Sequence, residues 1–150
     1  MASETIQIPP REFEKRIKNT IRRMAVLKLD VLIVFADREH SANLTYLTNL
    51  DPRFEEGLLL LHRNGQRKML LGNECMGYTG ICPIPMKYEL FQEFSLMGQD
   101  RSKSRSLKKI FSDFGIKKGI RIGTCYHKTI SGGGGIYWIY HRTWLTSCVN

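Results

Sequence analysis

Asn43-Leu44-Thr45-Tyr46-Leu47-Thr48-Asn49-Leu50, followed by Asp51-Pro52-Arg53-Phe54-Glu55-Glu56-Gly57 and the apolar run Leu58 to Leu61, is the stretch on which the fold reading turns. It reads as a short helical turn, then a loop, then a buried strand. On its N-terminal side, Asp30 leads into Val31-Leu32-Ile33-Val34-Phe35, a β-branched run of strand length. Its apolar residues are continuous rather than alternating, which argues for burial on both faces of a sheet covered by helices. Asp37 or Ser41 is placed to cap the short helix, which runs through Leu47.

Further out, Pro9-Pro10 opens a helix to about Lys28, because the first helical turn does not need the amide that proline lacks. Phe13, Ile17, Ile21 and Met24 form one face of that helix, while Arg11, Lys15, Lys18 and Arg22 form another. The apolar stripe is core. On the C-terminal side, Gly57 to His62 and Lys68 to Gly72 make a hairpin around Asn64-Gly65, a pair that favours tight turns. Asn73 to Pro85 is a loop or weak helix, interrupted by Gly77, Gly80, Pro83 and Pro85. Tyr88 to Phe94 is expected as an edge strand. A basic helix capped by Ser102 or Ser104 then turns Leu107, Ile110, Phe111 and Phe114 inward and stops at Gly115. Ile120 to Thr124 closes the order as a last strand. The sum is a single α/β domain, a mixed β-sheet with helices on both faces.

The chain has 150 residues, enough for one domain with a real core. No apolar run approaches the roughly 20 residues of a membrane helix, and Met1 to Pro10 carries no signal-like apolar core. The expectation is a cytoplasmic protein without a membrane. Cys75, Cys82, Cys125 and Cys148 have no C-x-x-C spacing. Cys125 and His127 are close enough to chelate together, but a buried thiol beside a surface imidazole accounts for them as well.

The net charge of +9 is concentrated in two stretches. Residues 101–121 hold eight basic side chains against Asp113 alone, and residues 11–28 hold seven against Glu12 and Glu14. Solvated helix faces explain such density; an acidic partner surface or nucleic acid would use it. No aromatic stacking motif or helix-turn-helix pattern accompanies it. Gly132 to Gly135 lacks the Lys-Ser/Thr of a phosphate-binding loop, and no G-x-G-x-x-G or G-x-S-x-G occurs.

The Tyr46-Leu47-Thr48 segment resembles the N-terminal domain of creatinase, prolidase and Xaa-Pro aminopeptidase relatives. The opening helix with Arg16 and Met24, the strand after Leu29-Asp30, Arg121-Ile122-Gly123 and the following Tyr126-His127-Lys128 resemble the same domain in the same order, covering about residues 10–128. Asn49 stands where that family usually has glycine after Tyr-Leu-Thr, and asparagine also tolerates a left-handed backbone. After Thr129 the likeness ends. Ser131 to Gly135 is linker-like, and Ile136-Tyr137-Trp138-Ile139-Tyr140 is either an extra edge strand or a tail without function. Residues 1–128 are therefore expected to be the domain and 129–150 a linker and tail.

In the family resembled, this domain is an accessory half, and the chemistry belongs to a pita-bread domain whose two aspartates, one histidine and two glutamates hold two metals. The resemblance therefore implies a truncated or detached accessory domain of a metallohydrolase, with no cofactor of its own and divalent metals such as Mn only in the catalytic domain. Its expected partners are copies of itself, as a homo-oligomer, or a pita-bread catalytic chain. The resemblance also places Arg53 and Phe54 at the substrate entrance, the arginine for a carboxylate and the ring for a proline or methyl group. The alternative is a plain turn with Phe54 in the core and Arg53 paired to Glu55 or Glu56. Two other functions compete: a stand-alone module using a basic face for an acidic ligand or nucleic acid, and, last, a complete enzyme of unknown type.

Overall fold

In the computed structural model, residues 7–125 are described. The expected boundary near residue 128, the glycine run, the aromatic run and His127 lie outside them. Helix α1 (Pro10–Val26) begins with Pro10 in its first turn and buries Phe13, Ile17 and Met24. Strand β1 (Val31–Ala36), helix α2 (Ala42–Thr48), strand β2 (Gly57–His62) and strand β3 (Arg67–Leu71) follow. A 3-10 segment, Cys75–Ile81, leads to β4 (Lys87–Leu90), and helix α3 (Leu107–Phe114) precedes β5 (Ile122–Cys125).

The sheet runs β4-β3-β2-β1-β5. β2 is antiparallel to both β1 and β3, whereas β5 lies parallel to β1 and β4 parallel to β3. The sheet is mixed, as expected. Alternation along the strands divides the core in two. Val34, Leu59, Leu61 and Met69 point to α1 and α2, and Val31, Ile33, Leu58, Leu60 and Leu70 point to α3 with Phe91 and Ile116. β2 is buried on both sides, which is why its run of leucines is unbroken.

Three local expectations are corrected. Ser106, not Ser102 or Ser104, caps α3, accepting from the Lys109 amide, because Ser104 is already used by the Gln92 amide. Ser41 occupies the N-cap position of α2 but makes no side-chain cap, and Asp37 instead folds back on the amides of Glu39 and His40. The expected edge strand Tyr88 to Phe94 is only β4. Phe91 donates to the Leu71 carbonyl at 2.7 Å and buries its ring, and the chain then turns through a 3-10 segment, Gln92–Phe94. Gly115 ends α3 with φ +97°, the left-handed value the sequence anticipated.

Candidate functional site

The segment Thr45 to Leu50 is locked from within. Leu44, Leu47 and Leu50 are buried, so the turns of α2 face the sheet. Thr48 Oγ1 donates to the Leu44 carbonyl at 2.8 Å and accepts from the Leu50 amide at 3.2 Å, carrying the chain out of the helix without an orphaned polar group. Asn49 takes φ +63° at the helix end and donates to the Thr45 carbonyl, the left-handed cap that the sequence permits. Tyr46 is the large side chain this geometry leaves outside, 55% exposed.

Arg16 of α1 is the link across. Its guanidinium carbon lies 5.0 Å from the Phe13 ring centre and 4.4 Å from that of Tyr46, a cation held between two aromatic faces. Nη1 donates to the Tyr46 carbonyl at 2.9 Å, satisfying one of the carbonyls that the end of α2 leaves without a helical partner, and Nε donates to Glu12 at 3.3 Å. Above this stack lies an open groove of about 420 Å³, bounded by Arg16, Ser41, Thr45 and Tyr46, with Asp51 on its wall.

Asp51 joins the groove to the loop. Its carboxylate is 3.7 Å from Arg53 Nε. The Glu55 amide donates to the Pro52 carbonyl at 2.8 Å, making Arg53 and Phe54 the two central residues of a turn whose side chains project outward. Phe54 is accordingly 63% exposed. The side chains are placed differently from the plain-turn alternative: Phe54 does not enter the core, and Arg53 pairs with Asp51.

What fixes the turn is a residue read from the sequence only as a possible partner of Arg53. Glu55 is only 3% exposed, and its two carboxylate oxygens accept the amides of Glu74 at 3.1 Å and Cys75 at 2.8 Å. A carboxylate in such a place must be hydrogen-bonded to be tolerated. Gly72 makes room for it: a Cβ there would stand 2.6 Å from the Glu55 carboxylate. The available signal was the pairing of a carboxylate just before β2 with a glycine just after β3. Those two positions become neighbours only through the register that sets Gly57 opposite Leu71. The Cys75 thiol beside Glu55 is pushed up to about 12 by burial first and the carboxylate second, which makes it a structural rather than a reactive thiol.

Among the described residues, Cys75, Cys82 and Cys125 are free, and no three His, Cys, Asp or Glu side chains converge as metal ligands. No described helix is long and apolar enough to cross a membrane.

No protein-family model and no curated protein matches the sequence. Among solved structures, the chain is similar to the dipeptidase PepE from Mycobacterium ulcerans, with TM-score 0.39 and 14% identity over 64% of this chain and 25% of that one. It therefore spans about a quarter of that enzyme. It is also similar to a proline dipeptidase structure from Streptococcus agalactiae 2603V, with TM-score 0.44 and 9% identity over 75% of this chain and 94% of that one. A third likeness is to a Creatine_N superfamily domain of a dipeptidase from Streptococcus thermophilus, with TM-score 0.41 and 12% identity over 79% and 92%. In structure this chain is similar, over part of its length and at low identity, to dipeptidases and to a Creatine_N domain of one of them.

Proposed function

We propose that this chain is a non-catalytic accessory domain of a creatinase- or Xaa-Pro-peptidase-like metallohydrolase. It works with a pita-bread catalytic domain, in the same polypeptide or another, and supplies oligomer contacts and the entrance residues Arg53 and Phe54. The observation that carries this reading is the turn Pro52–Glu55. A large apolar ring is held out in solvent by a buried carboxylate, beside an exposed arginine and the groove that contains Tyr46. A single exposed ring is ordinary on a protein surface; what supports the reading is that this ring stands next to an exposed arginine paired with Asp51, a residue of the groove wall. A surface completed by another domain gains a rigid aromatic anchor and a cation suited to a carboxylate. Divalent metal chemistry, with manganese as the expected ion, belongs in this reading to the catalytic domain alone.

The test is affinity capture of the chain from its own cells, followed by a manganese-supplemented assay of the captured complex on Xaa-Pro dipeptides. Cleavage is expected with the wild-type chain. Arg53→Ala or Phe54→Ala should raise KM while leaving kcat nearly unchanged. Capture of intact chain without dipeptidase activity would overturn the proposal.

A further inference from the structure

The two basic stretches of the sequence do not behave as two helix faces. In each, some of the earlier charges are paired with carboxylates and the later ones converge. Arg16 pairs with Glu12, Arg101 with Glu93, and Arg105 with both Glu89 and Asp113. Seven further cations collect at the end of the sheet where β1 begins. Arg22, Arg23 and Lys28 come from the end of α1 and the turn after it, Arg63 from the β2–β3 hairpin, and Lys117, Lys118 and Arg121 from the segment between α3 and β5. Backbone bonds bring these segments together: Asp30 N–H donates to the Arg121 carbonyl at 2.8 Å, and Arg63 N–H donates to the Asp30 carbonyl at 2.9 Å. All seven are exposed. Only Arg63 makes an ion pair with a described residue, to Asp30 at 3.5 Å.

The opposite end of the sheet has the opposite sign. Asp37, Glu39, Asp51, Glu56, Glu74 and Glu93 gather there, with Arg16, Arg38, Arg53, Arg101 and Lys103 among the cations near them, Arg53 paired with Asp51 and Arg101 with Glu93. The domain is polarised along its strands. Within the cationic end, Val26 is 69% exposed and Leu27 is 41% exposed.

We propose that this end is a docking surface for an anionic lipid bilayer. Several cations on the outer end of a domain suit a negatively charged plane, and the carboxylate-rich far end orients the molecule with that end turned away. Val26 and Leu27 supply the apolar groups that enter the boundary between headgroups and acyl chains, which a nucleic-acid backbone would not use. Among the described residues, the exposed aromatics Tyr46, Phe54 and Tyr78 lie outside the cationic segments, which disfavours base stacking there. Such a contact needs no spanning helix, and it does not depend on the accessory-domain reading.

The test is sedimentation of the full 150-residue chain with phosphatidylcholine vesicles, with and without phosphatidylserine, at low and physiological salt. Binding to the anionic vesicles alone, weakening with salt, is expected. Each cation near such a surface contributes about fivefold in partitioning, so Lys117→Glu/Lys118→Glu should lose at least tenfold. Val26→Ser should lose about threefold for the apolar group withdrawn from the interface. Lys108→Glu/Lys109→Glu, with the same charge change at the start of α3, should stay within about twofold at physiological salt, where a charge a helix length from the surface is largely screened. Equal loss in both lysine pairs would reduce the effect to net charge and overturn the proposal. Unchanged binding by Val26→Ser, tighter binding of duplex DNA through the same lysines, or no vesicle binding would overturn it as well.

Discussion

Two connections in the same sheet, at opposite ends, are built on different principles. The β2–β3 hairpin is shaped chiefly by its own residues, with one outside tie from the Arg63 amide to the Asp30 carbonyl. The Gly65 amide donates to the His62 carbonyl at 2.9 Å, the His62 amide to the Gln66 carbonyl at 2.8 Å, and the Gln66 amide to Asn64 Oδ1 at 2.9 Å, with Gly65 left-handed at φ +93°. The loop Asp51 to Glu56 is held from outside, by the amides of Glu74 and Cys75 closing on Glu55. A turn that carries its own instructions can be read from a few adjacent letters. A turn held through a buried carboxylate can keep its tip free for another purpose, and its tip here is Arg53-Phe54.

The largest effect should come from removing the anchor. Glu55→Ala leaves two amides without their partner in a buried site, which should cost about 3 kcal/mol in urea unfolding. A loss under about 1 kcal/mol would mean that the amides find other acceptors and the loop is not held this way. Gly72→Ala attacks the same anchor from the other side. The new Cβ must displace the carboxylate, and because two amides pin that carboxylate the expected cost is about 2 kcal/mol. Gly65→Ala probes the self-contained hairpin. It strains one left-handed residue with open space around it, so about 1 kcal/mol is expected, with no change at the groove.

A smaller, pH-dependent effect lies away from both connections and serves as a control. Burial opposes ionisation of Glu89, but hydrogen bonds from Lys68 and Arg105 outweigh it and hold the carboxyl below its ordinary value of 4.5. Its ionised form is therefore favoured on folding. The stabilisation is complete above that ordinary value and is lost as pH falls through the lower, folded one. The stability difference between wild type and Glu89→Gln, measured by urea unfolding across this range, should be constant above about pH 5 and shrink below it.

The same contrast explains what was legible in advance. Pro10, the Phe13-Ile17-Ile21-Met24 stripe, the unbroken strand runs, Asn64-Gly65 and Gly115 are signals whose meaning is set by neighbours in sequence, and each is found where it was read. The mixed sheet followed from their order. The misread features each depend on a distant partner. Ser104 is a good cap in isolation but is claimed by Gln92, and Asn73 fixes Gln92 further by accepting from its side chain at 2.9 Å. Phe91 leaves the edge strand because the α3 face of the sheet needs its ring. In the candidate site, Arg53 and Phe54 are expected from resemblance alone, whereas Arg16 as the Tyr46 clamp and Glu55 as the anchor required the fold. The meeting of two basic stretches at one end of the sheet was equally invisible before the strand order was known.

The central claim is that the loop separates support from presentation: Glu55 holds it and Phe54 is free. The most direct measurement is urea unfolding of Phe54→Ala beside Glu55→Ala under one set of conditions. The expected result is a change within about 0.5 kcal/mol for Phe54→Ala, the range of an exposed substitution, against about 3 kcal/mol for Glu55→Ala. A loss of about 2 kcal/mol or more in Phe54→Ala would place the ring in the core and contradict the account.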